Sequence, residues 1–260
     1  ALVESCDVYF YTVGKMLGVD KIAHYAKMFG LGEVTGIELP YERKGLVPTR
    51  EWKLARMKEP WQLGETISIS IGQGFNLTTP MQLALAYSAL ANGGTLWRPR
   101  LVERIELSDR TILKQFLPEK KSELKLKPQT ISFLQKALWG VVNEPGGTGA
   151  RAKRPGADVC GKTGTSQVVA LPQGDAARKM KKLAAVHKDH ALFVCFAPMK
   201  NPEIAIAVIA ENAGGGGGSV AAPIAQKILN AYFEGKKKGA DLRSVPSHRQ
   251  AAEKEKPPAG

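Results

Sequence analysis

The sequence predicts an α+β fold in which an antiparallel sheet carries helices on both faces, and three observations lead there. Helical signals, several with their own caps, fill most of the first half. Two short apolar runs, residues 191–197 and 204–210, follow in the second half, joined by turn chemistry. One more capped helical pattern then closes the ordered part. Runs of helices followed by antiparallel strands give an α+β layer architecture. The strands are few for a sheet that must cover these helices, so the fold is expected to be incomplete at its N-terminus.

Residues 7–30 read as two helices. In the second, Asp20 is a plausible N-cap, Ile22, Ala26 and Phe29 share a face, and Gly30 is the stop. Residues 31–62, rich in turn formers and holding Trp52 and Trp61, look like a long irregular connection, a kind of segment that is often functional when ordered. Residues 66–71 are β-branched and apolar and lead into Gly72-Gln73-Gly74. Next comes a well-signed helix: Thr79 as cap, Pro80 at the first position, Leu83, Tyr87 and Leu90 inward, and Asn92-Gly93-Gly94 as terminator. Residues 95–125 are a charged excursion, after which Thr130 caps a helix with Ile131, Leu134, Leu138 and Val141 on its buried stripe.

Residues 159–164 are β-compatible, and 191–197 and 204–210 are apolar on both alternating faces, as in strands covered on both sides. The stretch Pro198-Met199-Lys200-Asn201-Pro202 joins them as a hairpin. Ser219 caps a final helix bearing Val220, Ile224, Ile228 and Tyr232, and residues 236–260 read as a disordered basic tail.

Composition narrows the function. The chain has 37 Lys and Arg against 24 Asp and Glu, a net charge of +13. The charges are scattered and lack the interleaved aromatic platform that single-strand binders use, so nucleic acid is not an expected partner. No apolar run approaches the roughly 20 residues that span a bilayer. The first residues lack an initiator Met and the regions of a signal peptide, so the chain is expected to be a fragment. Cys160 and Cys195 sit in strand-like surroundings that suit buried free thiols, with a disulfide as the alternative should their strands pair. His187 and His190 do not give one-sided metal ligation and are read as structural or surface residues. Gly214 to Gly218 would form a mobile loop, either a simple connection or part of a cleft rim.

Two motif readings compete at Gly156 to Thr163. The string fits the phosphate-cradling loop of nucleotide hydrolases, which works only between a buried strand and a helix. Residues 150–155 cannot be a buried strand, and residues 164–169 favour extended chain. The other reading takes Lys162-Thr163-Gly164-Thr165-Ser166 as a K-T-G motif on an accessible strand. It would line one side of a cleft with an ammonium and hydroxyls, and Gly164 would let a substrate backbone lie close. Ser5-Cys6-Asp7, just before a helix, fits the S-x-N/D pattern that accompanies K-T-G in penicillin-recognising enzymes.

Three blocks together resemble the transpeptidase domain of class B penicillin-binding proteins, above all the elongation type. They are residues 5–14 (SCDVYFYTVG), 70–84 (SIGQGFNLTTPMQLA) and 161–167 (GKTGTSQ). Asp189 to Val194 and Ala197-Pro198 also resemble that family's strand after K-T-G. The resemblance makes residues 1–235 the C-terminal portion of such a domain. It implies a serine acyl-enzyme that cross-links peptidoglycan stem peptides and is blocked by β-lactam antibiotics. Carried over, Ser5 joins the proton relay, Asp7 hydrogen-bonds the substrate amide and Lys162 shapes the electrostatics. Thr163 faces away from the cleft, and Thr165 binds the terminal carboxylate and lends its N–H to an oxyanion hole. Gly164 and Ser166 complete the substrate strand.

The resemblance further implies partners (a shape-type glycan polymerase and elongation scaffold proteins) and the periplasmic face of the inner membrane, with the anchor outside this chain. No cofactor is implied, although the Cys6 thiolate could hold a structural zinc with residues further upstream. The family's S-x-x-K nucleophile motif is missing from its place before Ser5. The one match, Ser122-Glu123-Leu124-Lys125, lies in a charged stretch on the wrong side of the second block. A non-catalytic relative that binds peptidoglycan or a partner is the alternative. A chain missing its first strands and nucleophile helix is expected to fold poorly alone. A cooperative thermal transition with protected core amides would contradict that.

Overall fold

The helical signals of the first half resolve into α1 (Asp7–Leu17), α2 (Val19–Met28), α3 (Arg50–Met57), α4 (Leu63–Ser70) and α5 (Pro80–Ala91). They do so in a computed structural model that describes residues 1–167 and 188–244. Four short strands follow, β1 (Thr95–Trp97), β2 (Arg104–Glu106), β3 (Ile112–Gln115) and β4 (Lys120–Glu123), then α6 (Pro128–Asn143) and a single 3₁₀ turn at Ala150–Ala152. The main sheet comprises β5 (Cys160–Ser166), β6 (His190–Ala197) and β7 (Ile204–Ala210), and α7 (Ala221–Ser244) closes the described chain. Among the described residues no helix is long and apolar enough to cross a membrane.

The sheet is antiparallel in the order β5-β6-β7, with β6 in the middle as its two-sided apolar pattern requires. Phe193 and Cys195 point to one face, against Ala221, Ala222, Ala225 and Leu229 of α7. Phe196 and Cys160 point to the other, against Leu90 of α5 and Ile131 and Leu138 of α6. Helices on both faces are thus confirmed.

Several local expectations need correction. The α2 cap is Gly18, and Asp20 instead accepts from the Arg50 backbone N–H at 3.1 Å. The β-branched run 66–71 lies almost wholly in α4: the Glu65 carboxylate accepts from the Gln62 N–H at 2.7 Å, and Thr66 and Ile69 are buried. The connection 31–62 contains α3, started by Thr49, whose hydroxyl accepts from the Trp52 N–H. The 95–125 excursion folds as two small antiparallel ribbons, β1 with β4 and β2 with β3. Lys127, not Thr130, caps α6. The Ser219 hydroxyl turns back to the Gly216 carbonyl, and α7 begins at Ala221. That helix runs to Ser244, past the expected boundary at 235, while residues 245–260 lie outside the described residues.

The buried face of α7 is also not the expected one. Ile224 and Ile228 are exposed, whereas Ala225 and Leu229 are fully buried. Three alanines let the helix lie close to β6 and β7, and Leu229 fills the space beyond them. The expected stripe favoured larger residues and so chose a neighbouring face. On this packing Leu229→Ala should cost about 2–5 kcal/mol. Ile228→Ala should cost under about 1 kcal/mol. Urea denaturation of the two variants reads the difference, and equal losses would return the buried stripe to the isoleucines.

Candidate functional site

The two motifs meet in space. Residues 1–6 form a turn that docks on α6: Val3 lies so close to Gly140 that a Cβ there would come within 2.9 Å of it. The Thr148 N–H also donates to the Val3 carbonyl at 3.3 Å. From this turn α1 packs on α4 at Gly14, where a Cβ would sit 2.3 Å from that of Ser70. Ser5, with φ at 54°, thereby turns its hydroxyl toward β5. Lys162 Nζ donates to Ser5 Oγ at 2.8 Å and to the Thr163 carbonyl at 3.0 Å. Burial holds the Lys162 ammonium below its ordinary lysine range, and the negative charge of Asp7 opposes that shift in part.

β5 is an edge strand, so its outer side forms a wall of the cleft. The Thr163 hydroxyl pairs with the Thr148 hydroxyl at 2.9 Å, and the exposed Thr165 has its carbonyl taken by Gln73 Nε2 at 2.8 Å. A polar cleft of about 510 Å³ lies between Ser5, Asp7, Thr148, Lys162 and residues 216–218. Beside it an apolar cavity of about 470 Å³ extends between Ile22, Ile69, Leu83 and Tyr87 on the helices and Leu192 and Val194 on the sheet. Gly164 and Thr165 line both spaces, and Ser166 lines the apolar one. At Gly217 a Cβ would come within 2.1 Å of the Leu192 carbonyl oxygen, so the glycine loop rests on the sheet as a cleft rim.

Other candidates separate cleanly. Lys162 and Thr163 stand in the middle of β5, and the chain directly after them continues as strand through Ser166 where a phosphate loop requires a helix, which removes that reading. Ser122 is exposed on β4, opposite Leu96, and heads no helix. Although β5 and β6 do pair, Cys160 faces Phe196 and Cys195 faces Gly161, so the thiols lie on opposite faces and remain free. Burial pushes each of them up to about 12. Cys6 is exposed, and among the described residues no cluster of three or more metal-ligating side chains forms. His190 Nδ1 accepts from the Asn212 N–H at 2.9 Å, a structural contact. His187 and the lysines at 179–182 lie outside the described residues.

Sequence reasoning missed Gln73 and Thr148 as individual contributors. Gln73 stands inside the 70–84 block, between two glycines that hold positive φ, and that spacing was the available signal. Thr148 sits in a loop after α6 with nothing in its own neighbourhood to mark it.

A sheet covered by helices, with a cleft along its edge strand, defines a class of protein. The family model for the penicillin binding protein transpeptidase domain matches residues 1–230, and the chain belongs to that family. Within it, the chain is 37% identical over 249 residues to peptidoglycan D,D-transpeptidase MrdA of Haemophilus influenzae, covering 95% of this chain and 38% of that protein. It is similar to the solved Pseudomonas aeruginosa PBP2 in complex with WCK 5153, with a TM-score of 0.74 and 34% identity over 89% of this chain and 48% of that one. The Helicobacter pylori PBP2 complex with MreC gives a TM-score of 0.71 and 28% identity over 90% of this chain and 40% of that one. The chain therefore spans well under half the length of the curated relative.

The Lys162 environment has a titration consequence. A depressed lysine pKa means the folded state releases this proton before the unfolded state does. Stability therefore rises with pH as the ammonium titrates below its ordinary range, and the gain is complete once the unfolded chain has titrated too. Carbon-13 NMR of the Lys162 Cε should show it titrating below the ordinary lysine range, and Asp7→Asn should move it lower still. An upward move in that variant would contradict the assigned electrostatics.

Proposed function

We propose that this chain supplies the recognition side of a peptidoglycan D,D-transpeptidase site whose nucleophilic serine, in an S-x-x-K motif, lies outside it. The observation that carries this reading is the hydrogen bond from Lys162 Nζ to Ser5 Oγ, across 157 residues of sequence. Because Ser5 accepts from the ammonium, its own proton is free to point into the cleft. There it can pass between an attacking serine and a leaving amine. The Asp7 carboxylate accepts from an amide N–H of the stem peptide. The exposed Thr165 hydroxyl meets the terminal carboxylate, and the Thr165 backbone N–H, on the strand edge, serves the oxyanion of the tetrahedral intermediate.

The same site takes β-lactams as mimics of the acyl-D-Ala-D-Ala end. The solved relatives support partners as well as ligands: one is a PBP2 bound to MreC, another a peptidoglycan synthase complex coordinating polymerization and crosslinking. We accordingly assign the protein a glycan polymerase and a scaffold partner, and a place on the periplasmic face of the inner membrane.

The test is gel labelling with a fluorescent penicillin, on this chain and on a longer one extended upstream through its S-x-x-K motif. Label is expected on the longer protein alone and should vanish when its motif serine becomes alanine. Ser5→Ala in that protein should slow labelling by about 10²–10⁴-fold, the usual worth of a positioned proton-transfer group. Label on the short chain would place a reactive serine within residues 1–260. Absence of label on both would favour a non-catalytic relative.

A further inference from the structure

The loop after α4 holds Gln73 rigidly. The Gly72 N–H donates to the Ile69 carbonyl at 2.9 Å and the Gln73 N–H to the Ser68 carbonyl at 3.0 Å. Gly72 and Gly74 flank it at φ of 80° and 72°. From this fixed backbone the half-buried side chain reaches β5, and its Nε2 donates to the Thr165 carbonyl at 2.8 Å. Gln73 lines both the polar cleft and the apolar cavity, at the place where they meet.

An edge strand offers its outward carbonyls to any extended segment that adds alongside. Here one of those carbonyls, that of Thr165, is already occupied by a side chain. We propose that the Gln73 carboxamide is a displaceable latch on the β5 edge, holding the Thr165 carbonyl until an amide N–H of an extended ligand replaces it. The exchange trades one neutral hydrogen bond for another, so a ligand with an acylamino arm gains nothing at this position. Its binding must come from contacts elsewhere along the cleft. A ligand without that arm still meets the Thr165 hydroxyl and N–H but presents no N–H to the Thr165 carbonyl, and so leaves the latch in place. Gln73 is thus a specificity-determining residue for amide-bearing ligands.

This inference rests on the transpeptidase reading, and its test separates the two. In the full-length protein, acylation rates are measured with benzylpenicillin, which carries an acylamino N–H, and with 6-unsubstituted penicillanic acid, which does not. Gln73→Ala frees the carbonyl and should raise the ratio of the two rates about three- to tenfold, the size of one neutral hydrogen bond. Gln73→Glu, close in shape but unable to donate from an ionised carboxylate, should do the same and guards against a folding defect in the alanine variant. An unchanged ratio, or a fall in it, would overturn the latch and leave Gln73 as a strut. Wild-type protein acylated by neither compound would overturn the transpeptidase reading and the latch together.

Discussion

The hydrogen bond between Lys162 and Ser5 is the constraint around which the molecule is organised. A half-buried ammonium must have acceptors, and alongside Thr163 on its own strand Lys162 uses Ser5, 157 residues away in sequence. Bringing them together needs three close approaches. Val3 must meet Gly140, α1 must meet α4 at Gly14, and Gly161 must pass the Phe193 ring, where a Cβ would come within 2.6 Å. At each point a side chain on the glycine would push the serine turn, its helix or the lysine strand out of place.

The irregular connection between α2 and α3 is held with similar strictness. Gln82 is buried and uses its whole carboxamide: Nε2 donates to the carbonyls of Glu33 and Lys44, and Oε1 accepts from the Thr79 N–H. Glu42 gathers the Thr35 and Gly36 N–H groups and the Thr35 hydroxyl. A loop pinned by satisfied buried groups can serve as a wall. Its residues Leu31, Val47 and Pro48 line the apolar cavity. The site therefore joins a polar cleft to an apolar cavity beside it.

Much of this was legible in the residues. The β6–β7 hairpin followed from two apolar runs around a turn, and α5 from Thr79 and Pro80, because those signals are local. The failures share a cause. Residues 66–71 carry a strand's composition, yet Glu65 bonding back to Gln62 and the packing of Thr66 and Ile69 make them mostly helix. In α7 the choice between Ile228 and Leu229 depends on how closely three alanines allow the sheet to approach. The site was readable as motif text at Ser5, Lys162 and Thr165. Thr148 and Gln73 were not readable as partners, since their bonds to β5 exist only once the chain has folded.

The three cysteines have unequal fates. Cys160 and Cys195 are sealed on opposite faces of the sheet, each thiol pushed up to about 12, so at neutral pH almost none of either is present as the reactive thiolate. Cys6 alone is open to solvent, and it sits directly beside Ser5. The sequence thus carries its own single attachment point for a maleimide-linked reporter at the lip of the cleft. A fluorophore or spin label placed there could follow ligand entry without removing any other cysteine.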